Sequence, residues 1–414
     1  MTRRSGAARS RPPRGGDPYG VRPTATLVAP VASLVGLALV AFVSVGLLTG
    51  NLPFHLGGRG GSGGPAGAER TPTPSNVVIV PSQPPEATLL GSIVYAKDGN
   101  IWIEDSSGAH QLTSAGSDSM PSFTPDGQWV LYIETRDQTV TYRLPGGAPT
   151  HYEATYPILY RIHPDGSAMT KITDGLFTNA NGTWFYWLRQ PVMSPNGKTI
   201  ALFSDGPDPL NSDVVLQFYD MATGKLTNAG VPESPPLGQQ DAAWAPNGKS
   251  LLYVKNGRDG ARGAPQIYQL QWPSMKYQAL TGPGYNAPRW SPDGRYILAT
   301  RTSTLGTDVV IIDPRTGAEI VRVTNDLHSW GAVWSPAGDA IAYLHIDGGV
   351  TDLEVVHLSG PIGRWTVGSP VAMTQNAGLD GASHPDWYVA PADIPTPTPA
   401  PSTSGGPPPS PSGP

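Results

Sequence analysis

The side chains here that could move a proton, hold a metal or attack a carbonyl are histidine, aspartate, glutamate and serine. Cysteine is absent from all 414 residues. That removes thiolate ligands, a cysteine nucleophile, disulfides and a lipid-modified cysteine anchor together. Seven of the eight histidines, His110, His151, His163, His328, His345, His357 and His384, fall in the central region. No pair has short metal-ligand spacing. No Ser-His-Asp order sits in the strand–turn–helix context that a nucleophile elbow requires. His163 and His384 stand in turn motifs, as do Asp126, Asp165, Asp293 and Asp386, so shaping the backbone is their first role. Residues 60–64 satisfy the nucleophile-elbow pattern and residues 58–63 the dinucleotide pattern. Neither lies between a strand and a helix, so both are set aside. The sequence supplies no catalytic set, no metal set and no cofactor motif.

One stretch could do binding chemistry. Trp184-Phe185-Tyr186-Trp187 follows Phe177 and precedes Leu188-Arg189. Four consecutive aromatics put rings on both faces of an extended segment. They read either as a satellite cluster covering their own module or as a platform for a peptide, glycan or partner protein, since Trp, Tyr and Arg dominate binding hot spots.

The elements that must position these residues are repeats. Arg289-Trp290-Ser291-Pro292-Asp293-Gly294 precedes the apolar run from Tyr296 to Ala299. The same arrangement recurs around Phe123-Thr124-Pro125-Asp126-Gly127, Met193-Ser194-Pro195-Asn196-Gly197, Trp244-Ala245-Pro246-Asn247-Gly248 and Trp334-Ser335-Pro336-Ala337-Gly338. A stunted copy stands at Ser383-His384-Pro385-Asp386-Trp387. The prolines fall at 125, 195, 246, 292, 336 and 385, the step expected of repeated units. Each copy reads as a strand end, a turn preset by Pro and closed by Asp/Asn-Gly, then a second strand. A further hairpin follows most copies, as at Val309–Thr324. Four short strands in about 45 residues is a propeller blade. The segment from Gly91 to Thr113 is a blade lacking its inner strand, and residues 383–389 are an inner strand lacking a blade. Joining them closes six blades and removes two open sheet edges. The longest step, 125 to 195, places extra chain at 135–156 and 176–190.

The Trp-Ser-Pro-Asp-Gly motif with its following apolar strand resembles the WD40-like (PD40) repeat of the TolB-like β-propeller family, over residues 90–389. The resemblance implies an all-β, six-bladed β-propeller whose channel mouth receives an extended peptide from a partner. It implies that residues just before each inner strand line that mouth: Asp118, Ser119, Arg189, Gln240, Asp241, Tyr285, Asn286, His328 and Trp330. It also places Phe123, Met193, Trp244, Trp290 and Trp334 in the core between blades. The family spans binding proteins, lyases and non-catalytic domains, so the fold alone assigns no activity.

The flanks complete the reading. Residues 1–24 form a basic cytoplasmic tail with six arginines and one aspartate. Residues 25–50 are uncharged and long enough for a transmembrane helix, and the arginines before them keep the N-terminus in the cytoplasm. Residues 51–89 are a flexible Gly/Pro linker, and 390–414 a disordered Pro/Ser-rich tail. The rest of the chain is more acidic than the formal net charge of −5, so nucleic acid is excluded as a partner. The expectation is a single-pass cell-membrane protein with its propeller outside, a non-catalytic protein- or peptide-binding module. The alternative is a carbohydrate-active lyase or hydrolase, or a glycan-binding propeller.

Overall fold

The computed structural model describes residues 89–143, 146–209, 212–232, 238–257 and 264–394. The expected cytoplasmic tail, the membrane span 25–50 and the linker through residue 88 lie outside the described residues, as does the tail beyond 394. Among the described residues no helix is long and apolar enough to cross a membrane.

Six antiparallel sheets carry the fold. Blade 2 starts with inner strand Asp118–Phe123, blade 3 with Arg189–Met193, blade 4 with Gln239–Trp244, blade 5 with Tyr285–Trp290 and blade 6 with Ser329–Trp334. Blade 1 takes its inner strand, Asp386–Tyr388, from the far end of the chain and its other three, Ser92–Lys97, Asn100–Asp105 and Gly108–Gln111, from the near end. The sealing register pairs Ser92 with Tyr388, Ile93 with Trp387 and Val94 with Asp386. Ordered chain continues past 389: Pro391–Asp393 form a 3-10 turn, and Ile394 packs on the seam between blades 1 and 6.

Hydrophobic burial follows the seams. Buried apolar residues fall into six clusters, each joining two neighbouring blades. Phe123, Met193, Trp244 and Trp334 are buried in them as expected. Trp290 is only half-buried, against the seam of blades 4 and 5.

The repeated motif earns its recurrence through one turn. In blades 2 to 6 the glycine N–H donates to the carbonyl three residues back, at 2.8 Å in every copy, from Gly127, Gly197, Gly248, Gly294 and Gly338. The hydroxyls of Thr124, Ser194 and Ser291 bond the Asp or Asn two residues on. Glycine is required at 127 twice over: its φ is +66°, and a Cβ there would meet the Tyr388 ring at 2.1 Å.

Pro385 corrects the repeat alignment. Pairing of Trp387 with Ile93 matches that of Trp244 with Leu251. Trp387, not Ser383, therefore stands where Trp244 and Trp334 stand. Pro385 then corresponds to Pro121, Pro191 and Pro288 and stands just before the strand Asp386–Tyr388 rather than in the turn after it.

The extra length of blade 2 forms two strands of 13 residues, Val130–Tyr142 and Thr150–Ile162, paired along their whole length. Since Glu134 pairs with Asp118 at the start of the inner strand, everything beyond it projects past the mouth face. A second small hairpin, Leu176–Asn179 with Gly182–Phe185, leans on this extension through Gly182 and Tyr142.

Candidate binding surface

A β-bulge interrupts each inner strand of blades 2 to 6, between Ser119/Ser122, Arg189/Val192, Gln240/Ala243, Asn286/Arg289 and Trp330/Val333. The residue inside each bulge is left-handed: Met120 (φ 55°), Gln190 (50°), Asp241 (58°), Ala287 (47°) and Gly331 (63°). His384 holds the matching place in blade 1. An extra residue in one strand re-aims its side chain, and here it turns this position toward the axis. Blade 6 needs glycine there, because a Cβ at 331 would lie 3.0 Å from the His384 ring.

The axis is consequently filled and polar. Asp241, 4% exposed, accepts from Gln190 Nε2 at 2.7 Å and from the Ala287 N–H at 3.0 Å. Its own N–H donates to Gln190 Oε1 at 3.0 Å. His384 Nδ1 lies 3.7 Å from Asp241 Oδ1. Burial pushes the His384 pKa down, opposed by Asp241. Burial likewise pushes Asp386 up, with Arg289 pulling the other way, while Asp386 Oδ2 accepts the Phe123 N–H at 2.8 Å. A pocket among these side chains holds about 30 Å³, room for water.

The expected mouth residues divide. Asp241 is in this axial network, and Arg189 joins it electrostatically, its pKa lowered by burial and raised by Asp241. Ser119 and Gln240 are half-buried beside the bulges. Asp118 is 2% exposed, and burial raises its pKa, Glu134 opposite adding to the rise. Tyr285 turns outward, donating to Glu319 at 2.6 Å, and burial with that carboxylate pushes its pKa to about 12. Asn286 reaches Thr302 Oγ1 at 3.4 Å, Trp330 donates to the Gly381 carbonyl at 2.9 Å, and His328 is exposed on the rim. Met120, Gln190, Arg289 and His384, which do line the axis, were missed by the sequence reading. His384 does not serve a turn. The periodic Met/Gln/Asp/Ala/Gly/His column, three residues before Phe123, Met193, Trp244, Trp290, Trp334 and Trp387, was the available signal.

Blade 6 assembles Ser329, His345 and Asp326. Ser329 Oγ donates to Asp326 Oδ2 at 2.8 Å and lies 3.2 Å from His345 Nδ1, itself 3.3 Å from Asp326 Oδ2. Serine and aspartate share one imidazole nitrogen, and Ser329 is fully buried. A nucleophilic triad uses both nitrogens and an accessible hydroxyl, so this set ties strand ends together. Among the described residues no three His, Asp or Glu side chains group as a metal site would need.

The four aromatics divide by face. Phe185 packs into the seam of blades 1 and 2, and Tyr186 into that of blades 2 and 3. Trp187 meets Phe185 edge-on at 5.8 Å. Trp184 lies on Tyr142 at 5.0 Å and stays half-exposed over a pocket of about 180 Å³. Phe185 and Tyr186 thus cover seams between blades, while Trp184 borders the pocket.

Asp205 locks this segment to blade 3. It accepts the Trp187 N–H at 2.7 Å, and burial pushes its pKa up to about 6. The unfolded carboxyl titrates near ~3.9. Between those values the folded chain binds more protons, so the contribution to stability is full below ~4 and lost as pH rises through about 6. Asp205→Asn keeps an acceptor without the charge. It is expected to be more stable than the parent by about 1–2 kcal/mol at pH 8 and equal to it near pH 4. Urea midpoints at both pH values decide, and an identical difference at the two would count against it.

No protein-family profile matches the chain. A TolB structure from Acinetobacter baumannii superposes with TM-score 0.50 at 20% identity, over 72% of this chain and 66% of that one. A candidate TolB from Agrobacterium tumefaciens superposes with TM-score 0.51 at 17% identity, over 74% of this chain and 96% of that one. In sequence, an uncharacterized protein of Agrobacterium fabrum is 26% identical over 151 residues, 34% of this chain and 40% of that protein. The match thus spans less than two-thirds of the Acinetobacter TolB and of the A. fabrum protein. The structural likeness establishes the fold, a TolB-like six-bladed propeller.

Proposed function

We propose that this TolB-like propeller is a non-catalytic module that grips a protein or peptide at its mouth, displayed outside the cell membrane on the span at 25–50. The observation that carries the reading is the blade-2 extension, which rises beside an axis already filled by mutually bonded side chains. A ligand therefore rests on the rim and against the hairpin rather than threading the ring. Rim positions such as His328 and hairpin positions such as Gln138 are exposed, and the sheet beneath holds them rigidly, which lowers the entropic cost of capture.

A photo-crosslinking residue at His328 or Gln138 of the full chain, in native membranes, is expected to trap a discrete partner. The same residue at Asn247, exposed in a turn on the opposite face, is expected to trap none. Equal trapping from both faces, or none from either, sinks the reading.

The cysteine-free sequence makes orientation testable. With Ser106→Cys or Ser5→Cys as the sole thiol, a membrane-impermeant maleimide added to intact cells is expected to label position 106 and spare position 5. Labelling of position 5 alone would reverse the topology, and labelling of neither would remove the external propeller.

A further inference from the structure

We infer that the pocket between the small hairpin of blade 2 and the 207–209 loop of blade 3 is a carbohydrate subsite for one neutral, hydroxyl-rich ring. Its walls are Phe177, Trp184, Pro207 and Pro209, with Asn179, Asn181 and Asp208 at the edge. Trp184 is fixed in orientation: its Nε1 donates to Asn179 Oδ1 at 3.3 Å, and Tyr142 backs it. Asn179 Oδ1 also accepts the Asn181 N–H at 2.8 Å. Among the described residues the Asn179 NH2 and the whole Asn181 side-chain amide make no further hydrogen bond. An oriented aromatic face beside unspent amide groups matches a pyranose, whose C–H face is apolar and whose rim is hydroxyls.

Size and charge narrow the ligand. About 180 Å³ is below the ~300–1,000 Å³ of sites for larger ligands, so one ring enters and its neighbours lie on the surface. The lining offers no cation to pair with an anionic sugar, so uronates, sulfates and phosphates are disfavoured. A proline-rich peptide would need a longer aromatic groove. This site is separate from the mouth and does not depend on what binds there.

The test is affinity electrophoresis of the full chain, in detergent, through gels containing a neutral β-glucan, a mannan or polygalacturonate, with decaproline as competitor. Retardation by a neutral polysaccharide and not by polygalacturonate is expected. Trp184→Ala should weaken it about tenfold or more and Trp184→Phe much less, since a ring face remains. Asn181→Ala, on an exposed side chain, should weaken it several-fold without changing the melting temperature. No retardation by either neutral polymer, retention unaffected by Trp184→Ala and Asn181→Ala, preference for polygalacturonate, or displacement by decaproline would each overturn the assignment. The crosslinks at His328 would survive any of these outcomes.

Discussion

A chain ending at residue 382 is expected to lose cooperative unfolding. The missing piece carries the inner strand of blade 1 and joins that blade to both of its neighbours, blades 6 and 2. It holds Trp387, 8% exposed in the seam of blades 1 and 6, with its indole N–H on the Leu90 carbonyl at 2.8 Å. It holds the Ser383 hydroxyl that accepts the Met120 N–H at 2.9 Å, the Asp386 carboxylate on Phe123, and the Tyr388 hydroxyl on the Asp126 carbonyl at 2.9 Å. Removing it strips the inner edge of blade 1 and opens the ring. Trp387→Ala alone should cost about 3–5 kcal/mol, a large part of the ~5–15 kcal/mol that domains typically have. Calorimetry of the truncated and substituted chains checks this. A sharp transition at the parent temperature in the truncated chain would refute closure by this strand.

Asp241→Ala is expected to destabilise by about 3–5 kcal/mol, because it strands partners that were bonded around a buried charge. Gln190 Nε2 and the Ala287 N–H lose their acceptor, and Arg189 loses its counter-charge. Position 241 is also left-handed, which alanine tolerates poorly. Asp241→Asn keeps one acceptor oxygen and suits that backbone, so it should cost only about 1–2 kcal/mol. Urea midpoints of the two variants are the measurement. Equal losses would show that the carboxylate charge alone, and neither its acceptor oxygens nor the left-handed backbone, holds the axis together.

Blade number, turn chemistry and ring closure were legible because Pro, Gly and a small hydroxyl residue fix local backbone geometry wherever they recur. The family resemblance assigned the residues just before each inner strand to the mouth, with no bulge in view. An inserted residue shifts every later side chain by one face, so Met120, Gln190 and His384 took the axis while Tyr285 and Trp330 turned away from it. Pro385 read as a turn proline because Ser383-His384-Pro385-Asp386 imitates the residue order of the turn motif. Ser329, His345 and Asp326 meet only because neighbouring strands pair Ser329 with His345, a register that no local pattern announces. The aromatic run announced its composition and not its division into faces, which depends on the hairpin folding back at Asn179.

The joint in blade 1 also sets how the ring would respond to being pulled. Ser92 and Tyr388 are paired at its end, so the chain enters and leaves the structure at neighbouring points. A load applied between those two points would act across three rungs in succession, opening them singly like a zipper, where a lengthwise shear would have to break all three at once.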